Sequence, residues 1–270
     1  HGALLTEFDG QGGPTGNLGY PTADTLTSSD HKSRYSNFEQ GRIYYLGKAG
    51  TFAMVAPFFA KHEREGGVHG ILGYPTSEVR TSRDRKSKYQ NYENGRIYER
   101  GSSVVEIHDV VFDRHESLDG VYGPLGYPAG DLASVGDGRG QAQWFEGGLI
   151  WYSPQSKAHG LWGKILDRFA ANGHVKGYLH YPTSEPTAVG DGRGLYATFE
   201  RGRIYATDAI GGYEVHGALL TAYLDTYGGP KGQLGYPTSE LAPRGSTGGR
   251  DQRFERGTLR FDKNGLVTLV

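Results

Sequence analysis

The chain has no cysteine in its 270 residues, so neither a disulfide framework nor a thiolate zinc site is open to it. It has little net charge: 29 Lys and Arg against 30 Asp and Glu leave −1. No basic run is long enough to follow a phosphate backbone, which argues against nucleic acid as a partner. Long apolar runs are missing as well, so no membrane insertion is expected. The G-x-S-x-G, H-E-x-x-H and P-loop patterns are absent, and with them the familiar routes to a nucleophile, a catalytic zinc or a bound nucleotide. No catalytic residue, metal or cofactor is therefore assigned, and the chain is read as a non-enzyme. It begins at His1 with no signal-peptide pattern, as a processed secreted protein or a trimmed chain would. The lack of cysteine fits a bacterial exported protein.

Glycine and aromatics are what the chain has in excess. Its 44 Gly are spread evenly and mark many tight turns, while 19 Tyr, 11 Phe and 3 Trp supply large apolar groups for a core.

The residues also repeat. LGYPTSE occurs at Leu72–Glu78 and again at Leu234–Glu240, with close copies opening at Leu18, Leu125 and Leu179. The five leucines are 54, 53, 54 and 55 residues apart. A second motif follows each at a constant offset of 20: FEQGRIY from Phe38, YENGRIY from Tyr92, FEGGLIW from Phe145, FERGRIY from Phe199 and FERGTLR from Phe254. A fixed offset held five times excludes insertions between the two motifs, as a single supersecondary unit requires. The second motif reads as a hairpin with Gly at the second turn position, Phe38 and Ile43 facing inward and Glu39 and Arg42 outward. A short helix precedes each LGYP; in HGLWGKILDRFA, Leu161, Ile165 and Phe169 share a face beside Trp162 and Leu166. Pro57 is tolerable only in the first turn of the second helix.

A further strand runs from each hairpin into the next helix. The chain starts at a helix and ends in Gly265–Val270, a strand with no helix after it. The expected fold is an α+β repeat protein, a closed pseudo-fivefold ring of units each built from a short helix and three short strands including the hairpin. The C-terminal strand would complete the first unit, and closure would remove exposed sheet edges. The chain is read as one domain of five repeats, approximately 1–50, 51–106, 107–157, 158–214 and 215–270. An open solenoid is the rival, but atypical capping repeats are not seen.

Leu, Gly and Pro of LGYP read as scaffold. His180 stands for the Gly in the fourth copy, so a left-handed backbone there is either unneeded or tolerated by His. The hairpin Glu (Glu39, Glu93, Glu146, Glu200, Glu255) persists where the partner Arg is replaced by Leu149 or Thr258, so an ion pair cannot be its whole role; a backbone hydrogen bond or a ligand contact is left. His1, His108, His159 and His216 stand at the start of four helices and read as local packing rather than metal ligands. The polar residues least needed by a rivet are the candidate ligand-binding set. They are the motif tyrosines Tyr20, Tyr74, Tyr127, Tyr181 and Tyr236, and the closing acids Asp24, Glu78, Asp131, Glu185 and Glu240. A loop Asp-x-Lys/Arg joins them: Asp30 with Lys32, Asp84 with Lys86, Asp137 with Arg139 and Asp191 with Arg193. In the fifth repeat Ser246 and Gly248 replace both charges.

The five LGYP and LHYP copies, each followed by FExGxI or a close variant, resemble the LGFP repeat family of actinobacterial and related cell-envelope proteins, with Tyr for Phe in every copy. The resemblance implies a module outside the membrane that anchors attached enzymes to envelope glycans such as arabinogalactan or peptidoglycan. The expectation is a secreted, wall-associated, monomeric lectin-like module with several weak repeated sites, Tyr faces stacking on sugars while charged groups bind hydroxyls. Linked weak sites would give avidity for a polymer. A structural or protein-interaction spacer is the alternative, and a glycan hydrolase using paired carboxylates a third.

Overall fold

The computed structural model describes residues 2–244, 248–262 and 264–270. The expectations placed on His1 and Ser246 lie outside the described residues. Contacts divide the chain into two compact units: 1–113 with 128–132, and 114–127 with 133–270.

In the first unit, helix α1 (Ala3–Gly10) leads to a sheet of β1 (Leu26–Thr27), β2 (Arg34–Phe38), β3 (Gly41–Tyr45) and β4 (Thr51–Val55). Helix α2 (Phe58–Arg64) leads to β5 (Arg80–Thr81), β6 (Lys88–Tyr92), β7 (Gly95–Arg100) and β8 (Ser103–His108). Helix α3 (Asp109–Ser117) follows in the chain. In the second unit come β9 (Ala133–Ser134), β10 (Gln141–Trp144), β11 (Gly148–Ser153) and β12 (Lys157–Trp162). Helix α4 (Gly163–Ala171) precedes β13 (Thr187–Ala188), β14 (Gly194–Phe199), β15 (Gly202–Thr207) and β16 (Gly211–His216). Helix α5 (Gly217–Asp225) precedes β17 (Ala242–Arg244), β18 (Gly249–Phe254), β19 (Gly257–Phe261) and β20 (Val267–Leu269). Each group of four strands is an antiparallel meander in chain order. The opening strand of each sheet, two residues long in four sheets and three in the fifth, was not expected; it is too short to carry a hydrophobic alternation. The C-terminal strand β20, expected to complete the first unit, is hydrogen bonded to β19 in the fifth sheet.

LGYP lies against the hairpin that follows it. Its leucines are buried in all five copies, and its backbone carbonyls take the turn amides, as in Glu39 N to Tyr20 O and Gln40 N to Leu18 O, both 3.0 Å. The hairpin glycine is not a turn residue as expected. The turn is Glu39-Gln40, and Gly41 begins β3. A Cβ on Gly41 would collide with the Met54 carbonyl and lie 2.9 Å from Leu18 Cδ2; Gly202 and Leu179 repeat the conflict at 2.8 Å. Close approach, not a positive φ, fixes glycine here. The LGYP glycine does need the left-handed region, with φ from 69° to 74°, and His180 adopts it at 58°.

One aromatic pair per repeat ties helix to hairpin: Phe8 on Phe38, His62 on Tyr92, His115 on Phe145, Phe169 on Phe199 and Tyr223 on Phe254, with centroids 4.7–5.1 Å apart. His62 and His115 share a hydrogen bond between Nε2 and the LGYP glycine carbonyl at 2.8 and 2.9 Å. The helix starts were expected too early. His159, Leu161 and Trp162 belong to β12, and Met54 and Val55 to β4. Hydrophobic spacing runs on across the strand–helix junction, because both faces pack on the same core. His108 and His216 end strands β8 and β16, and Pro57 caps α2 at its N-terminus.

Candidate functional site

The motif tyrosines and loop acids meet each other. Tyr74, Tyr127, Tyr181 and Tyr236 are all 3% exposed or less, whereas Tyr20 is 61% exposed. The Tyr74 hydroxyl donates to Asp30 Oδ1 at 2.8 Å, Tyr181 to Asp137 Oδ2 at 2.7 Å, and Tyr236 to both oxygens of Asp191 at 2.9 Å. Each bond joins the loop of one repeat to the LGYP of the next. Burial, with the carboxylate as acceptor, pushes the phenols of Tyr181 and Tyr236 up. The acids also cap their own loops: Asp30 accepts from Ser28 Oγ at 2.7 Å and Lys32 N at 3.0 Å, and is lowered to about 2 chiefly by Ser28. Asp84 accepts in the same way from Ser82 Oγ and Lys86 N. Burial opposes the drop at Asp137 and Asp191, but their backbone and tyrosine hydrogen bonds outweigh it. A buried ring has no free face, so sugar stacking by these four tyrosines is set aside.

The hairpin glutamates resolve into the backbone alternative. Glu39, Glu93, Glu146 and Glu255 accept from the amides of Tyr20, Tyr74, Tyr127 and Tyr236 at 3.0–3.4 Å. Arg139 pairs with Glu200, with its nitrogens 2.6 and 3.2 Å from the carboxylate, and Arg193 pairs with Glu255. Both guanidinium groups lie over the neighbouring tyrosine, at 5.0 and 5.2 Å. Lys32 and Lys86 are exposed instead. Lys32 borders a cavity of about 250 Å³ with Phe52, Tyr74 and Glu93.

The closing acids divide. Asp24 is exposed. Asp131 accepts from Lys61 Nζ at 2.6 Å, and that lysine side chain is only 1% exposed. Glu185 bonds His159 Nδ1 at 3.0 Å and lies 3.4 Å from Arg114 Nε, while Glu240 pairs with Arg168. Among the described residues Glu78 has no cation paired with it; it accepts from Ala53 N at 2.9 Å and Gln11 Nε2 at 3.1 Å. Burial raises it to about 7. Burial, then the charge of Asp131, brings Glu106 to about 7 as well.

The third repeat carries a groove that the set above missed. In the first repeat Arg42 fills the outer face of the hairpin: its Nε donates to Asn37 Oδ1 at 2.6 Å, one terminal nitrogen donates to the Tyr44 hydroxyl at 2.7 Å, and it lies 4.9 Å over Tyr35. Arg96 repeats this with Asn91, Tyr98 and Tyr89. By strand register, the third repeat has Leu149 for that arginine, Trp144 for the asparagine, Ala142 for the outer tyrosine and Trp151 for the inner one. The space left is a cavity of about 310 Å³, lined by Ser134, Ala142, Trp144, Leu149, Trp151, His174 and Lys176. Trp144 is 56% exposed at this groove, and Trp151 is buried beneath it. His174 Nε2 is buried without a partner among the described residues, and burial holds its pKa below the usual value, so the ring is neutral near pH 7. The signal for this site was the departure of one repeat from the pattern, FEGGLIW preceded by Gln-Trp. Among the described residues no three His, Asp or Glu side chains converge as metal ligands, and no helix is long and apolar enough to cross a membrane.

Five helices and five four-stranded meanders among the described residues, with a Tyr–Asp bond recurring between neighbouring repeats, define an α+β repeat protein. The LGFP repeat profile matches residues 18–70, 125–177 and 179–232, more than half of the sequence, and the chain belongs to that family. No curated protein matches it. Among solved structures, a streptogramin B lyase aligns at 10% identity over 91% of this chain and 66% of its own, with a TM-score of 0.16. The extracellular domain of a putative hybrid two-component system from B. thetaiotaomicron aligns at 13% identity over 93% of this chain and 27% of its own, with a TM-score of 0.17. A hemopexin-fold protein from cow pea aligns at 10% identity over 68% of this chain and 86% of its own, with a TM-score of 0.20. The chain thus spans less than two thirds of the first two, and likenesses this remote bear on neither fold nor function.

Proposed function

We propose that the protein is a non-catalytic carbohydrate-binding module that recognises cell-envelope polysaccharide outside the membrane, of the arabinogalactan or peptidoglycan class, as a monomer. The observation that carries this reading is Trp144, a large exposed indole at a groove made by losing the Arg–Tyr stack of the first, second and fourth hairpins. Sugars offer an apolar face to such a ring and hydroxyls to nearby polar groups, and Ser134, His174 and Lys176 supply donors and acceptors around the groove. The repeated positions contribute less than the sequence suggested, because their tyrosines and acids are engaged with one another. The exposed Lys32 beside its smaller cavity is a candidate for a second, weaker contact. From the equal repeat steps alone we also carry forward the closed pseudo-fivefold ring, which solution scattering distinguishes from an elongated open array.

A glycan array that includes arabinogalactan and peptidoglycan fragments, followed by calorimetry, tests the reading. Binding should appear for at least one polymer class, and Trp144→Ala should weaken it about two- to tenfold, as loss of one stacking partner worth about 0.5–1.5 kcal/mol predicts. Silence of the wild type on every glycan would sink the idea and favour the spacer alternative. Release of labelled fragments would point to the hydrolase.

A further inference from the structure

The acid that closes LGYP meets a cation in three of the four places where its surroundings are described above: Lys61 for Asp131, Arg114 for Glu185 and Arg168 for Glu240. All three cations stand eleven residues before the LGYP leucine of their own repeat. In the first repeat that position is Glu7. Glu78 therefore shares its seam with a second carboxylate, and Gln11 bridges the two, its Nε2 donating to Glu7 Oε1 at 2.8 Å and Glu78 Oε2 at 3.1 Å. The strand residue opposite the hairpin isoleucine is Ala53, where the second repeat has Glu106. The missing side chains leave a cavity of about 430 Å³, with Glu78, Gln11, Ala53 and Phe58 in its wall.

We propose that this cavity binds an organic monocation, an ammonium or guanidinium group on a short aliphatic stem. Its charge takes the place that Lys61, Arg114 and Arg168 hold in the other repeats, where each already sits beside an equivalent carboxylate. Charge favours this occupant: Glu78 and Glu99 line the cavity against a single Lys88, and Glu7 stands behind Gln11. The wall also offers Phe58 and two valines to a stem, which a bare metal ion would not use. The cation must meet an ionised Glu78, and burial together with the nearby charge of Glu7 holds that carboxyl at about 7. Binding should therefore strengthen as the pH rises through neutrality. The site is independent of the glycan groove.

The probes are n-butylammonium and n-propylguanidinium, the detached side chains of lysine and arginine. Titrated into the full chain at about pH 8, either should bind at one site and shift the amide resonance of Ala53, which donates to Glu78 Oε1. Below about pH 7 affinity should fall about tenfold per pH unit as Glu78 takes up its proton. Glu78→Gln should abolish binding. Glu7→Lys should abolish it too while leaving the unfolding temperature no lower than wild type, since a tethered cation then fills the site. Trp144→Ala should leave it unchanged. Absence of an Ala53 shift in the wild type at about pH 8 overturns the proposal, as does undiminished binding by Glu7→Lys.

Discussion

Tyr236 and Tyr20 occupy the same position in LGYP, yet among the described residues only Tyr236 has an aspartate facing its hydroxyl. Tyr236 donates to Asp191 from a buried ring, and Tyr20 is open to solvent. Tyr236→Phe should cost about 1.5–3 kcal/mol in urea unfolding, the range for a hydrogen bond to a charged acceptor. Tyr20→Phe should stay within about 0.5 kcal/mol. Equal effects would mean that the seam bond adds nothing. Glu78 makes a second prediction at this scale. Its carboxyl titrates near 7 in the fold against 4.5 ordinarily. Between those values the folded chain holds a proton that the unfolded chain has lost, so stability falls as pH rises through the window. Glu78→Gln is neutral throughout and escapes that loss. Above about pH 7 it should be the more stable form by about 1 kcal/mol, an upper limit of about 3 having been discounted for solvent screening at a partly exposed group. Near pH 4 the two should coincide. A stability gain for Gln at acid pH would contradict the sign.

Among the elements, the hairpin decides which repeat has a groove. Tyr35, Arg42 and Tyr44 close the outer face of β2 and β3, while Ala142, Leu149 and Trp151 leave β10 and β11 open. Restoring the stack with Ala142→Tyr and Leu149→Arg together should fill the groove, and glycan binding should drop at least about tenfold without loss of stability. Retained binding in a folded double variant would place the sugar elsewhere. The contrast also shows what the sequence could reveal. A constant offset of 20 between two motifs exposed the repeat and the hairpin, because a rigid unit tolerates no insertion. The helix starts were misplaced at His159 and Leu161 because one hydrophobic face continues from β12 into α4. The burial of four motif tyrosines was hidden for a different reason: a side chain repeated to bond the next repeat leaves the same sequence mark as one repeated to bind a ligand. Only Asp30 or Asp191, brought opposite from another repeat, separates the two. Departures from the pattern, Trp144 and Glu7, carried more information about sites than the pattern did.

Across the whole molecule, two sets of buried titratable groups pull stability in opposite directions with pH. Glu78 and Glu106 titrate at about 7, and burial also raises Glu214 and Glu240. Glu78 and Glu106 hold a proton in the fold that the unfolded chain releases above about 4.5, so each removes stability as pH rises toward 7, and the raised Glu214 and Glu240 act in the same direction. Burial lowers His62, His174 and His216, which stay neutral in the fold while the unfolded chain takes up protons below about 6.5. Each of these adds stability as pH rises over nearly the same interval. Because the two sets oppose each other, the unfolding temperature should change less between about pH 5 and pH 7 than either set alone would make it, and should decline in stronger acid. There the lowered carboxyls of Asp137, Asp191, Glu185 and Glu255 are protonated and their hydrogen bonds or ion pairs are lost. Opposed slopes can be uncovered one at a time. Glu78→Gln with Glu106→Gln removes two of the four carboxyls that oppose the histidines, so stability should climb with pH across the interval relative to the wild type. His62→Phe, which installs the residue that Phe8 and Phe169 already supply on α1 and α4, removes a histidine term and should tilt the profile the other way. Scanning calorimetry of the three proteins at several pH values measures both tilts. If all three profiles share one slope, these buried groups titrate alike in the folded and unfolded chains, and the balance proposed between them does not exist.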